Sequence, residues 1–86
     1  MNAQRTSRRL LDLFNIATEA AVEATEQRRT IDALGHMAQA HGIALAAVAI
    51  DLSHTESDQW ITRRDRTAQT ILKISDLITA KQESHP

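Results

Sequence analysis

The feature that most constrains the fold of this chain is a pair of long segments whose apolar residues recur at helical spacing. At 100° per residue, each segment collects its apolar residues on one side of a helical wheel. In the first segment these residues are Leu10, Leu13, Phe14, Ala17, Ala20, Ala21 and Ala24. In the second segment they are Trp60, Ile61, Ala68, Ile71, Leu72, Ile74 and Ile78. Both segments are predicted to be long amphipathic helices, and the scarcity of glycine, proline and aromatic residues argues against sheets.

Capping residues predict where these helices begin and end. Thr6 or Ser7 can cap the first helix, because a hydroxyl there accepts a hydrogen bond from a free backbone amide. Midway along, the apolar side changes direction, so residues 7–41 form either one continuous helix or two helices, the second capped by Thr30. Gly42 is the predicted stop, since glycine readily adopts the left-handed conformation that follows a helix end.

The segment covering residues 43–52 is apolar on nearly every side of a helical wheel. Such a segment is expected to be buried all round, and its alanine content favours a short central helix over a strand. Two overlapping capping boxes follow and predict the start of the last helix. They pair Ser53 with Glu56 and Thr55 with Asp58.

The sequence therefore predicts one all-α domain spanning residues 1–86, a small bundle of three to four helices with two long amphipathic helices around the short apolar one. Residues 1–6 and 82–86 are expected to be disordered. The core is thin, because 14 of the apolar residues are alanine and 22 are larger. Burying a large side chain contributes about 1.5–3 kcal/mol, against an ordering entropy of about 1.5 kcal/mol per residue. The free energy of folding of a single copy is therefore expected to be close to zero. We expect the chain to form a homodimer, to bind a partner protein or to do both.

Charge and composition exclude several classes of partner. Ten basic residues against eleven acidic ones give a net charge of -1, so no overall field attracts nucleic acid or anionic lipid. The absence of cysteine removes disulfides and thiolate sites and favours a reducing compartment. The chain has neither an apolar run long enough to span a membrane nor a signal-peptide pattern. These observations predict a cytoplasmic protein without a membrane partner.

The sequence offers no combination of groups suited to catalysis or to cofactor binding. Its acids fall on the solvent sides of the predicted helices, and no nucleophile is paired with a base. The two glycines are too isolated to form a phosphate-binding loop. Among the histidines, His36 and His41 do not share a helix face, whereas Asp51 and His54 can. We predict no enzyme activity, no metal or cofactor site and no small-molecule substrate.

Nucleic-acid binding is the alternative function. Ala38, Gly42 and Val48 have the spacing of a helix-turn-helix, but the helix that would read the bases carries apolar side chains rather than polar ones. A stronger form of this alternative is a dimeric DNA-binding transcriptional regulator that joins its arginine clusters into one basic face. The clusters are Arg5, Arg8 and Arg9; Arg28 and Arg29; and Arg63, Arg64 and Arg66.

The preferred function is steric: a non-catalytic regulatory or adaptor protein that inhibits, chaperones or modulates an unidentified partner protein through its helix faces. In size and composition it is comparable to small bacterial adaptors, secretion chaperones and phage-encoded inhibitors. Arg64 lies one turn after Trp60, where it can stack on the indole or pair across an interface. The predicted partner-binding residues are Trp60, Arg64, Phe14, Ile71, Ile74 and Ile78, with Arg8 and Arg9 at the rim.

Overall fold

The chain forms three α-helices joined by two short turns. The computed structural model describes the backbone of residues 2–83 and the side chains of residues 3–81. No strand occurs in this part of the chain, so the predicted all-α fold is confirmed. The helices are α1 (Asn2–Glu26), α2 (Thr30–Val48) and α3 (His54–Glu83).

The outer helices extend further towards the termini than the sequence predicts. Residues 2–6 and 82–83 are helical, because adding residues to a packed helix costs little once the helix has nucleated. The expected disorder at residue 1 and at residues 84–86 lies outside the described residues. Since α1 begins at Asn2, neither Thr6 nor Ser7 caps it.

A tight turn separates α1 from α2, so residues 7–41 form two helices. Arg28 adopts a φ of 61°, and the amides of Arg28 and Arg29 donate to carbonyls in the last turn of α1 at 3.0 and 2.8 Å. This pair of bonds is a Schellman motif, which satisfies free carbonyls at a helix end. The predicted cap is wrong: Arg29, not Thr30, is the N-cap, and it makes no side-chain cap bond. Its guanidinium pairs instead with Asp32 at 3.0 Å.

Helix α2 continues through Gly42, so the predicted stop is wrong. Neither glycine has a positive φ. Glycine in a helix interior costs about 1 kcal/mol relative to alanine, and the many good helix formers around Gly42 offset that cost. The helix ends at Val48, with Ala49 as its C-cap. Residues 43–52 are therefore the second half of α2 and the turn after it, not a separate short helix.

The start of α3 agrees with the first of the two predicted capping boxes. Ser53 directly precedes the helix, and its Oγ accepts a hydrogen bond from the amide of Glu56 at 3.3 Å. Thr55, the start of the second predicted box, already lies inside α3. Ser53 is therefore the residue that fixes where α3 begins.

The helices pack in chain order into an open, elongated array. Helix α1 packs against α2 and α2 against α3, each antiparallel to the next. In the described part of the chain, no Cα atom of α1 lies within 8 Å of one in α3. The array measures 56 × 19 × 14 Å and has a radius of gyration of 14.8 Å. A compact domain of this length has a radius of gyration of about 12 Å, so the array is elongated. The buried residues of α2 form one row, so its neighbours cover that helix on one side only.

The core follows one row of buried residues on each helix. On α2 these residues recur every three or four positions: Ala33, Met37, Ala40, Ala44 and Ala47. They meet Phe14, Ala17, Ala21 and Ala24 of α1 and Trp60 and Ile74 of α3. Seven of these eleven buried apolar residues are alanine. The helices therefore approach closely but bury little side-chain area, and the core of a single chain is thin.

Candidate interaction surface

Large aliphatic side chains remain exposed on the single chain. Seven of them expose between 49% and 73% of their surface, whereas four buried residues of the described core are larger than alanine. The exposed residues are Leu13, Ile16, Val22, Ile31, Leu45, Leu72 and Leu77. Scattered exposed aliphatic residues are ordinary in proteins, but contiguous patches mark interaction sites. The distribution of these residues over the two broad sides of the array therefore decides whether they form a site.

One broad side carries a groove between the first halves of α1 and α3, which we call the α1–α3 groove. It contains both guanidinium and carboxylate groups, so it is polar. Its α1 wall is formed by Gln4, Ser7, Arg8 and Leu11, and its α3 wall by Glu56, Gln59, Trp60 and Arg63.

The opposite broad side is formed by α2, whose outward residues are uncharged; we call it the α2 face. On a helical wheel, exposed residues of α2 and its C-cap point away from the buried row of that helix, and five of them follow one another at steps of three and four residues. They are Gly35, Ala38, Gly42, Leu45 and Ala49. On helical wheels, the flanks of α1 and α3 that turn away from the α1–α3 groove carry Leu13, Ile16, Ile61, Ala68 and Leu72, with Arg9 and Arg64 in the same rows. Exposed aliphatic residues of all three helices thus share this side.

The α2 face has no formally charged residue along α2. No Asp, Glu, Lys or Arg occurs in residues 33–50, although seven residues of this stretch are exposed. The prediction that residues 43–52 are buried all round is wrong for the single chain, because Leu45, Ala46 and Ala49 remain exposed. The physical reason is the open array, which supplies neighbours to one side of α2 and leaves the other side bare.

Trp60, a predicted partner-binding residue, joins α1 to α3 within the chain. It is 1% exposed, and its Nε1 donates a hydrogen bond to Ser7 Oγ at 3.1 Å. Its ring meets Phe14 edge to face, with centroids 5.7 Å apart and planes at 88°. The guanidinium that stacks on the indole is that of Arg63, at 4.7 Å from the centroid, and not that of Arg64. In the folded chain the surfaces of Trp60 and Phe14 are occupied by each other and by their neighbours.

The predicted isoleucine row lies on the side of α3 that faces the other helices. Ile74 is buried, and Ile71 and Ile78 are half-buried against the core. This row therefore contributes to packing within the chain. A role for these residues in binding a partner stays a prediction.

Two of the three arginine clusters meet at one end of the array. Arg8 and Arg63 line the same α1–α3 groove, and Arg9 is exposed. Arg64 is partly exposed and pairs with Asp65 at 3.2 Å. The remaining cluster, Arg28 and Arg29, lies in the turn between α1 and α2, at the opposite end.

The polar groups of the described core are satisfied within the chain. Thr67 is buried, and its Oγ lies 2.9 Å from His41 Nδ1 and donates to backbone carbonyls of the preceding turn. Every buried side-chain nitrogen or oxygen in this part of the chain has a hydrogen-bond partner. The residues described contain no group of three metal-ligating side chains, and His54 pairs with Asp58 at 3.6 Å rather than with Asp51. No polar group in the core is left to hold a ligand.

No helix within residues 2–83 combines the length and the apolar character needed to cross a membrane. The chain matches no protein-family model, and comparisons with curated proteins and with solved structures found no similar protein.

Sequence reasoning missed the residues of the α2 face as interaction candidates. A usable signal was present in the uncharged stretch of residues 33–50, whose apolar residues cover all sides of a helix. In this chain, α1 and α3 cover only one side of that helix. The outward residues, including Gly42 and Leu45, then need an external neighbour or remain in water.

Proposed function

We propose that this chain is a non-catalytic regulatory or adaptor protein of the cytoplasm that binds proteins through apolar helix faces and forms a homodimer. The observation that carries the proposal is the contrast between a core built mainly of alanine and the large aliphatic residues left exposed. A chain with this distribution gains apolar burial by associating with another protein surface. An inhibitor, a chaperone and a modulator of a bacterial or phage partner all fit this mode of action.

Self-association is the part of the proposal that can be tested without knowing the partner. Sedimentation velocity over a range of micromolar concentrations is expected to show a dimer. Thermal unfolding followed by circular dichroism is expected to shift to higher temperature as the concentration rises, because a dimer is stabilised by mass action. A folded monomer whose Tm is independent of concentration contradicts the homodimer.

The second candidate function is DNA binding by a dimeric regulator, and one observation favours it. Arg8 and Arg63, which are distant in sequence, line the same α1–α3 groove, and Arg66 lies on the same stretch of α3 as Arg63. Glu56 also lines the groove and reduces its positive potential. Binding to phosphates falls steeply between about 50 and 200 mM salt, whereas an apolar interface is nearly insensitive. Tight DNA binding at physiological salt that is lost in the R8A/R63A variant contradicts the protein-binding proposal.

A further inference from the structure

We infer that the α2 face is the surface through which two copies of this chain pack, with their α2 helices crossing near Gly42. This inference rests on the homodimer proposed above and adds to it the surface and the position of the two-fold axis. Four observations carry it: the spacing of the outward residues, the absence of charge from residues 33–50, the larger side chains on either side and the available area.

The outward residues of α2 have the spacing of a helix–helix seam. Gly35, Ala38, Gly42, Leu45 and Ala49 follow one another at steps of three and four residues. Apolar residues at such steps keep one side of a helix facing a partner helix. Helix α2 therefore has two rows of apolar residues. One row is buried against α1 and α3, and the other is exposed. Small residues let helix backbones approach closely, and a side chain added at Gly42 meets no other atom within 4 Å.

The absence of charge from residues 33–50 favours a second copy as the occupant. A two-fold axis brings each residue near it against the same residue of the partner copy. A charged residue there would meet its own charge, and no Asp, Glu, Lys or Arg occurs in residues 33–50. The α1–α3 groove is less suited to self-association, because the guanidiniums of Arg8 and Arg63 would approach their own copies.

Larger side chains on α1 and α3 border the small residues of α2. Leu13 and Ile16 lie on one flank, and Ile61 and Leu72 on the other. A second copy packed on the α2 face would contact these larger side chains. The same contact would cover Leu45, which the single chain leaves about half exposed.

The area of the α2 face is sufficient for a stable dimer. The 19 residues of α2 span about 28 Å. The array is 19 Å wide between Cα atoms, and side chains add about 6 Å. Contact over the whole of this side, including α1 and α3, therefore covers about 700 Å² per copy, or about 1,400 Å² in total, within the range of about 1,200–2,000 Å² found for stable protein interfaces.

The absence of cysteine from the chain makes disulfide trapping a direct test. In Gly42→Cys, the two thiols lie next to the axis, and mild oxidation of the full chain is expected to give a covalent dimer on a non-reducing gel. The matched control is Glu19→Cys, an exposed position on the side of α1 that points away from α2, and it is expected to stay largely monomeric on the gel.

A second variant tests the same surface without a cross-link. Gly42→Glu adds a charge where the structure has free space, so the single chain has room for it. Two such carboxylates near the axis are expected to raise the dimer dissociation constant by more than about a hundredfold, since like charges in an interface cost several kcal/mol. Glu19→Gln is the control and is expected to leave the dissociation constant within about twofold.

The outcomes separate the inference from the proposal on which it rests. A wild-type dimer that neither cross-links through Gly42→Cys nor dissociates in Gly42→Glu overturns the inference and leaves the homodimer standing. A monomeric wild type overturns both. If Gly42→Glu fails to fold, cross-linking of Gly42→Cys decides: a covalent dimer supports the inference, and its absence overturns it.

Discussion

Replacing Ser7 by alanine is predicted to destabilise the chain, although alanine is the better helix former. Ser7 is buried within α1, and its Oγ accepts the hydrogen bond from Trp60 Nε1 at 3.1 Å. The variant leaves the indole N–H without its partner, in a side chain that is 1% exposed. A buried polar group without a partner costs about 1–3 kcal/mol.

The expected net effect is a loss of about 1.5 kcal/mol. A cost of about 2 kcal/mol for the unpaired N–H is offset by about 0.5 kcal/mol from the higher helix propensity of alanine. For a domain of this size, 1 kcal/mol corresponds to about 4–8 °C in Tm. Ser7→Ala is therefore expected to melt about 6–12 °C below the wild type.

Urea and thermal unfolding followed by far-ultraviolet circular dichroism, at one fixed protein concentration, measure this loss. The control is Thr62→Ala, because Thr62 is exposed and its hydroxyl bonds only to a carbonyl of its own helix at 3.0 Å. That variant is expected to keep or slightly raise the Tm. In the double variant Ser7→Ala/Trp60→Phe, the Ser7 change is expected to cost at least about 1 kcal/mol less than in the wild-type background. Equal effects of Ser7→Ala in both backgrounds would refute the reasoning.

Three further substitutions test other parts of the fold by urea unfolding. Arg28→Gly is expected to stabilise the chain by about 1 kcal/mol, since glycine adopts the positive φ of that turn without strain; a loss of stability contradicts the Schellman geometry. Ala21→Leu is expected to destabilise by about 1–3 kcal/mol, because the close contact of α1 with α2 has no room for the added atoms; an unchanged midpoint contradicts that packing. Ser53→Ala is expected to cost about 1 kcal/mol through loss of the cap at Glu56, and no change in midpoint refutes the cap.

The sequence predicted the parts of the fold that depend on periodicity over many residues. The apolar sides of α1 and α3 follow from the spacing of residues such as Phe14 and Ile74, and both are buried. The thin core follows from the alanine content. The cap at Ser53 was predictable because a capping box is a local pattern of four residues.

Helix ends that depend on weak local preferences were predicted less well. Glycine favours a helix stop on average, yet Gly42 remains helical because the surrounding sequence favours helix strongly. Arg28 occupies a left-handed position where glycine is usual, and no pattern in the sequence marks it. In both cases the helix propensity of the neighbouring residues and the packing of the helices decide where the helix ends. The type of one residue alone does not predict that position.

The candidate surface was hardest to predict because it depends on the relative placement of helices. Trp60 and Phe14 are aromatic residues of the kind that is common in protein interfaces, but they pack against each other inside the chain. Arg63 and Arg64 follow Trp60 by three and four residues, and Arg63 is the one that stacks on the indole. Periodicity assigns both to the same side of the helix and does not decide between them.

The position of Trp60 also predicts the order in which the chain folds. The hydrogen bond between Trp60 and Ser7 joins residues 53 positions apart, whereas each pair of consecutive helices forms from neighbouring sequence. Contacts between distant residues close larger loops and form later. Since the chain has a single tryptophan, its fluorescence reports the burial of α3 in the core, including this last closure. In stopped-flow refolding, the change in indole emission is therefore expected to lag behind the gain of helical ellipticity.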